Sequence, residues 1–119
     1  MVFVPDEASK YMTKIDGCTI RLTQHDIDII KKAFQDTFQK GDHLWLFGSR
    51  VYPEKRGGDI DLYIEPRHYD DEQIFLSRKN FMHQLQNKLG EQKIDIVIKT
   101  PDLDLYIYEV AQKEGVKLV

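Results

Sequence analysis

GGDIDLYIE, residues 57–65, alternates acidic or aromatic side chains with aliphatic ones. A period of two is the mark of a β-strand with two unlike faces. Asp59, Asp61 and Tyr63 fall on one face, and Ile60, Leu62 and Ile64 on the other. KIDIVIK, residues 93–99, repeats the pattern: Asp95 shares a face with Lys93 and Val97, opposite Ile94, Ile96 and Ile98. If the two strands are neighbours and both isoleucine faces meet helices, the three aspartates share the remaining face. Same-face residues lie roughly 6.5–7 Å apart and adjacent strands about 4.8 Å apart. Three carboxylates in that space repel one another unless a cation neutralises them. An all-oxygen donor set favours a hard ion such as Mg²⁺ over zinc. Two such ions about 3.5–4 Å apart would clamp the attacking and leaving oxygens of a phosphoryl displacement.

Working outward, HLWLF (43–47) is a short apolar run that suits a strand buried on both faces. Gly48-Ser49 follows it, and residues 49–56 are expected to form one or two helical turns before Gly57-Gly58. A glycine lets phosphate approach the backbone closely. The next amides and the Ser49 hydroxyl can then cradle a triphosphate. Arg50, Lys55 and Arg56 lie in the same connection and can neutralise phosphate charge. Gly48, Ser49 and Arg50 are therefore the candidate nucleotide-binding residues, and Asp59, Asp61 and Asp95 the candidate catalytic and metal-holding ones.

The flanking segments read as helices. Thr23 is a suitable N-cap with Asp26 three residues on, and Ile27, Ile30, Phe34 and Phe38 recur at helical spacing before Gly41. A second helix is expected from about Asp70, with Ile74, Phe81, Leu85 and Leu89 inward and Gly90 as its stop. Thr100-Pro101 is expected to open a last helix as N-cap and first residue, closed by Gly115, with VKLV as a final short strand. CTIRL (18–22) is expected to be an edge strand, and residues 1–17, weakly patterned, to wrap the surface or stay loose. The order implies an α/β (α+β) domain: a short mixed sheet with helices packed on one face. Residues 1–22 are read as an N-terminal segment and 23–119 as the domain.

Composition narrows the function classes. At 119 residues the chain has length for one domain with one core. Its formal net charge of −3 gives no broad attraction for nucleic acid. The single cysteine, Cys18, excludes an internal disulfide framework and is expected to be a small structural residue. The four histidines are scattered without helical ligand spacing and are expected to be structural or solvated, and Trp45 to fill the core. Tyr106 and Tyr108 are expected to pack, with contact to a base or a partner protein as the alternative. MVFVPDEASK (1–10) reads without the basic start and apolar run of a secretory leader. No apolar run approaches the roughly 18 residues of a membrane span, so a reducing cytoplasm is the expected compartment.

Taken singly, a Gly-Ser step is a common turn and an Asp-x-Asp on a strand a solvated face. Their joint placement is harder to assign to surface polarity. Gly48-Ser49 followed by Asp59-Ile60-Asp61-Leu62, with Asp95 on a later strand, resembles the signature of minimal nucleotidyltransferases in the DNA-polymerase-β-like superfamily. The C-terminal PDLDLYIYEVAQKEGVKLV resembles the closing helix of that family, and the resemblance spans residues 23–119. It implies that Asp59 and Asp61 hold metal ions bridging the nucleotide phosphates. It implies that Asp95 completes the second metal site and helps activate the acceptor hydroxyl, while Gly48 and Ser49 grip the triphosphate. It also implies Mg²⁺, two ions with bound nucleotide, and an NTP substrate, ATP ahead of the others. Such domains are frequently antitoxins of a helical HEPN-type protein, and some modify that partner with AMP. The expected activity is thus transfer of a nucleoside monophosphate to a partner hydroxyl. The alternatives are an antitoxin acting by contact alone and a transferase acting on tRNA.

Overall fold

The computed structural model describes residues 11–119. Thr13–Ile15 (β1) and Cys18–Ile20 (β2) form an antiparallel hairpin. Helix α1 spans Gln24–Thr37, strand β3 His43–Phe47, β4 Ile60–Glu65, helix α2 Asp71–Leu89, β5 Ile94–Ile98, helix α3 Tyr106–Glu114 and β6 Val116–Lys117. A single 3-10 turn, Gly48–Val51, follows β3. The main sheet has the order β5-β4-β3-β6, with β4 and β5 parallel and the other pairs antiparallel. The α/β class and the small mixed sheet are those read from the sequence.

Local chemistry sets the helix ends. The Thr23 hydroxyl accepts from the Asp26 amide at 3.0 Å, satisfying one orphan donor of α1. Asp70 does the same for Gln73 at 3.0 Å and starts α2. Gly90 ends α2 with φ +76°, a left-handed conformation that only glycine adopts freely. The inward stripe of α1 (Ile27, Ile30, Ala33, Phe34) packs with Phe81 and Leu85 of α2 over Ile60, Leu62 and Ile64 of β4, nearly all with no exposed surface. Phe34 stacks on Phe38 at 4.9 Å between centroids, and both meet Phe81 edge-on at 5.8 Å.

Four expectations need correction. First, α3 does not join the other helices. Its Tyr108 and Ala111 pack with Phe47 and Tyr63 on the opposite, aspartate-bearing face. Val116 returns to the core through β6 beside β3, which leaves α3 to lie across that other face. Second, β3 is buried fully only on the core side, through Leu44 and Leu46. Trp45 lies half-buried on the aspartate face against Tyr63, at 5.4 Å between centroids, because the short α3 covers only part of that face. Third, residues 18–22 supply a strand to the separate hairpin and not an edge to the main sheet, and β1 begins within the segment expected to be irregular. The rest of that expectation, for residues 1–10, lies outside the described residues. Fourth, α3 starts at Tyr106, with Leu105 in the capping position. Residues 100–105 form an irregular connection in which the Leu103 amide donates to the Thr100 carbonyl.

Candidate active site

The parallel register of β4 and β5 decides the geometry. Asp61 is the direct partner of Asp95, as Ile60 is of Ile94 and Leu62 of Ile96. Partners in register project to the same side, so burying the isoleucines against α1 and α2 puts Asp61 and Asp95 side by side on the other face. Asp59, just before β4, joins them at the same end. Phe47 is the antiparallel partner of Asp61 on β3, which places an almost fully buried aromatic ring beside the carboxylate.

This setting raises the Asp61 carboxyl above its ordinary value. Burial is the largest cause, the neighbouring Asp95 and Asp59 charges add to it, and Lys93 opposes it. Lys93 reaches Asp59 with Nζ 3.5 Å from a carboxylate oxygen, in an open position where the pair is worth little on its own. Among the described residues, no three His, Cys, Asp or Glu side chains converge on one preformed cation position. The donor set nevertheless fits a hard cation: all-oxygen, mutually repelling and without a strong neutralising partner.

The loop from Gly48 to Gly58 forms the other wall. Gly48 has φ +76°, and a Cβ there would overlap a carboxylate oxygen of Asp61. This glycine therefore both makes the turn and leaves room for the aspartate. Gly58 has φ +88°, and a Cβ there would overlap the Ser49 hydroxyl. The two glycines thus fold the loop back so that Ser49 meets the residue preceding Asp59. Ser49 stands within the single 3-10 turn, in place of the longer helical stretch expected over 49–56.

The structure brings Gly48, Ser49, Asp59, Asp61 and Asp95 together. Arg50 is in the same turn, but its guanidinium is engaged in holding the loop: Nη1 donates to the Arg21 carbonyl at 2.8 Å and Nη2 to the Gly58 carbonyl at 3.2 Å. Lys55 is exposed and lies over the Tyr52 ring at 4.8 Å. The residue that inspection of the sequence did not single out is Arg21, buried to 8% exposure and hydrogen-bonded to carbonyls of the loop. Its signal was an arginine between Ile20 and Leu22, both fully buried. A charge at such a position needs partners close by.

A small mixed sheet that gathers strand-borne acids beside a glycine-serine turn defines the class. The nucleotidyltransferase domain family matches residues 24–118, and the chain belongs to that family. It is therefore a nucleotidyltransferase domain, of the polymerase-β-like superfamily, which supports transfer of a phosphorus-containing group. No curated protein matches the chain. Among the described residues no helix is long and apolar enough to cross a membrane.

Proposed function

We propose that this domain transfers a nucleoside monophosphate, AMP from ATP ahead of the others, to a hydroxyl of a partner protein. The observation that carries the reading is the pairing of Asp61 with Asp95 beside the Gly48-Ser49 turn. Asp59 and Asp61 would hold Mg²⁺ on the phosphates, with Asp95 completing a second site. The ions would neutralise charge on the phosphate oxygens. Ser49 and the turn amides bind the tail of the triphosphate. Asp95, on the exposed edge of the group, takes the proton of the acceptor hydroxyl. The acceptor oxygen bonds to the α-phosphorus as the bond from that phosphorus to the β-bridging oxygen breaks, and pyrophosphate leaves. Positioning and charge neutralisation supply most of the catalysis in such chemistry.

A protein acceptor is favoured by two features. The net charge of −3 gives little hold on nucleic acid. Leu103, Leu105 and Tyr106 stand exposed at the start of α3, with Tyr106 79% exposed, a surface suited to protein contact. The same surface supports the second reading, an antitoxin that neutralises a HEPN-type partner by contact alone. The test incubates the pure protein with Mg²⁺ and each labelled NTP, with and without the product of the adjacent gene and bulk tRNA. Label on the partner protein supports the proposal, and label on tRNA transfers the activity to that acceptor. A neutralised but unlabelled partner leaves the contact-only antitoxin.

A further inference from the structure

Arg21 lies before the family-matched region and forms no ion pair with the three acids among the described residues, yet its side chain makes three hydrogen bonds to the loop of the candidate site. Its Nε donates to the Tyr52 carbonyl at 3.1 Å, and its Nη2 to the carbonyls of Ser49 at 3.0 Å and Gly57 at 2.8 Å. Those acceptors span the turn from its first residues to the glycine pair that leads into β4. The main chain is tied as well, since the Arg21 amide donates to the Arg50 carbonyl at 2.8 Å and Arg50 Nη1 returns a bond to the Arg21 carbonyl. Two guanidinium groups are thereby clasped around one short loop. Burial and then the Arg50 charge push the Arg21 pKa down, with Glu54 opposing. Among the described residues neither arginine forms an ion pair with a carboxylate. Neither charge is therefore neutralised by a carboxylate at contact distance, and both stand behind the loop that their N–H groups hold.

We propose that Arg21 is a positioning residue for the triphosphate: its guanidinium pins both ends of the Ser49–Gly57 loop and adds positive charge behind the cradle. A planar fork suits three carbonyls set around one group, which a lysine ammonium on a flexible stem does not reproduce. The hairpin β1–β2 then has a purpose beyond packing, because it carries Arg21 to the loop. This inference rests on the nucleotide-binding reading above.

The test compares wild type, Arg21→Lys and Arg21→Met by displacement of a fluorescent ATP analogue, with Mg-ATP and with AMP as competitors. Thermal unfolding is followed in parallel. Arg21→Met is expected to weaken Mg-ATP about tenfold, and Arg21→Lys, which keeps the charge, about threefold. AMP affinity is expected to stay level in both, because AMP lacks the β- and γ-phosphates that the loop would hold. Equal Mg-ATP affinity in all three proteins overturns the inference and leaves the nucleotide reading intact. Parallel loss of ATP and AMP binding also overturns it, since that marks general distortion. Should Arg21→Met fail to fold, the ATP-to-AMP contrast in Arg21→Lys decides. A wild type that binds neither competitor overturns the nucleotide reading itself, and the inference with it.

Discussion

On β4, Ile60, Leu62 and Ile64 are sealed completely against α1 and α2, whereas Asp61 on the alternate face remains partly in water beside Asp95. The first face is over-determined. Many aliphatic contacts agree on one register, and a one-residue slip would bury the acids in place of the isoleucines. The second face is under-compensated. Like charges sit together, and the nearest ammonium, that of Lys93, is mostly exposed. Stability is thus concentrated on one side of a single strand, and the clustered acids of the candidate site lie on the other, where a cation or a proton would relieve their repulsion. The aspartate face is itself divided. Phe47, Tyr63, Tyr108 and Ala111 close its apolar end, and burial followed by the Glu65 hydrogen bond pushes the Tyr63 phenol up. The acids occupy the open end.

Substitutions on the two faces should therefore fail in different ways. The largest expected effect is on transfer. Asp95→Asn should lower the rate by about 10²–10⁴-fold, the usual share of a positioned base, while urea unfolding and partner binding stay at wild-type values. A variant that still labels the acceptor at the wild-type rate would remove Asp95 from the reaction. Next comes the sealed face: Leu62→Ala should cost about 2–5 kcal/mol in equilibrium unfolding by leaving a cavity under two helices. A loss below ~1 kcal/mol would show that the face is not close-packed.

Two smaller effects probe the turn where the faces meet. Gly48→Ala places a Cβ on the Asp61 carboxylate at a left-handed φ. Its strain of about 1–2 kcal/mol should appear as lower stability together with weaker Mg-ATP binding. Calorimetry giving wild-type affinity would locate the phosphate cradle elsewhere. Ser49→Ala removes one donor and leaves the amides, so binding of Mg-ATP should weaken by about 1–2 kcal/mol with the melting temperature unchanged.

The smallest effect carries a sign. Because the folded Asp61 pKa is raised, its contribution to stability is fully present below the ordinary value of 3.8 and is lost as pH rises through the raised one. Asp61→Asn removes that penalty. At neutral pH the metal-free variant should melt above wild type, and the difference should shrink as pH falls toward 3.8. An Asp61→Asn protein that melts lower at neutral pH would mean that the carboxylate is not under repulsion.

The alternation in DIDLYIE and KIDIVIK by itself determined both strands and their two-faced character, because a period of two is set by backbone geometry within each strand, while the meeting of Asp61 with Asp95 waited on the parallel pairing of β4 with β5. The cap at Thr23, the start of α2 near Asp70 and its stop at Gly90 were legible for the same reason: each is satisfied within a few residues of itself. What the sequence did not decide was anything resting on contacts between distant segments. Where α3 lies depends on Tyr108 and Ala111 finding Phe47 and Tyr63 while β6 pairs with β3. The same dependence delayed the helix from Thr100-Pro101 to Tyr106. Gly48 was read as room for phosphate, yet only the folded chain brings it against Asp61. Arg21 lies 28 residues before Ser49, and its acceptors are main-chain carbonyls, which every residue carries and no side-chain pattern marks. Tertiary structure alone decided that its guanidinium would meet three of them, because only the packed hairpin brings a buried charge to the loop that can satisfy it.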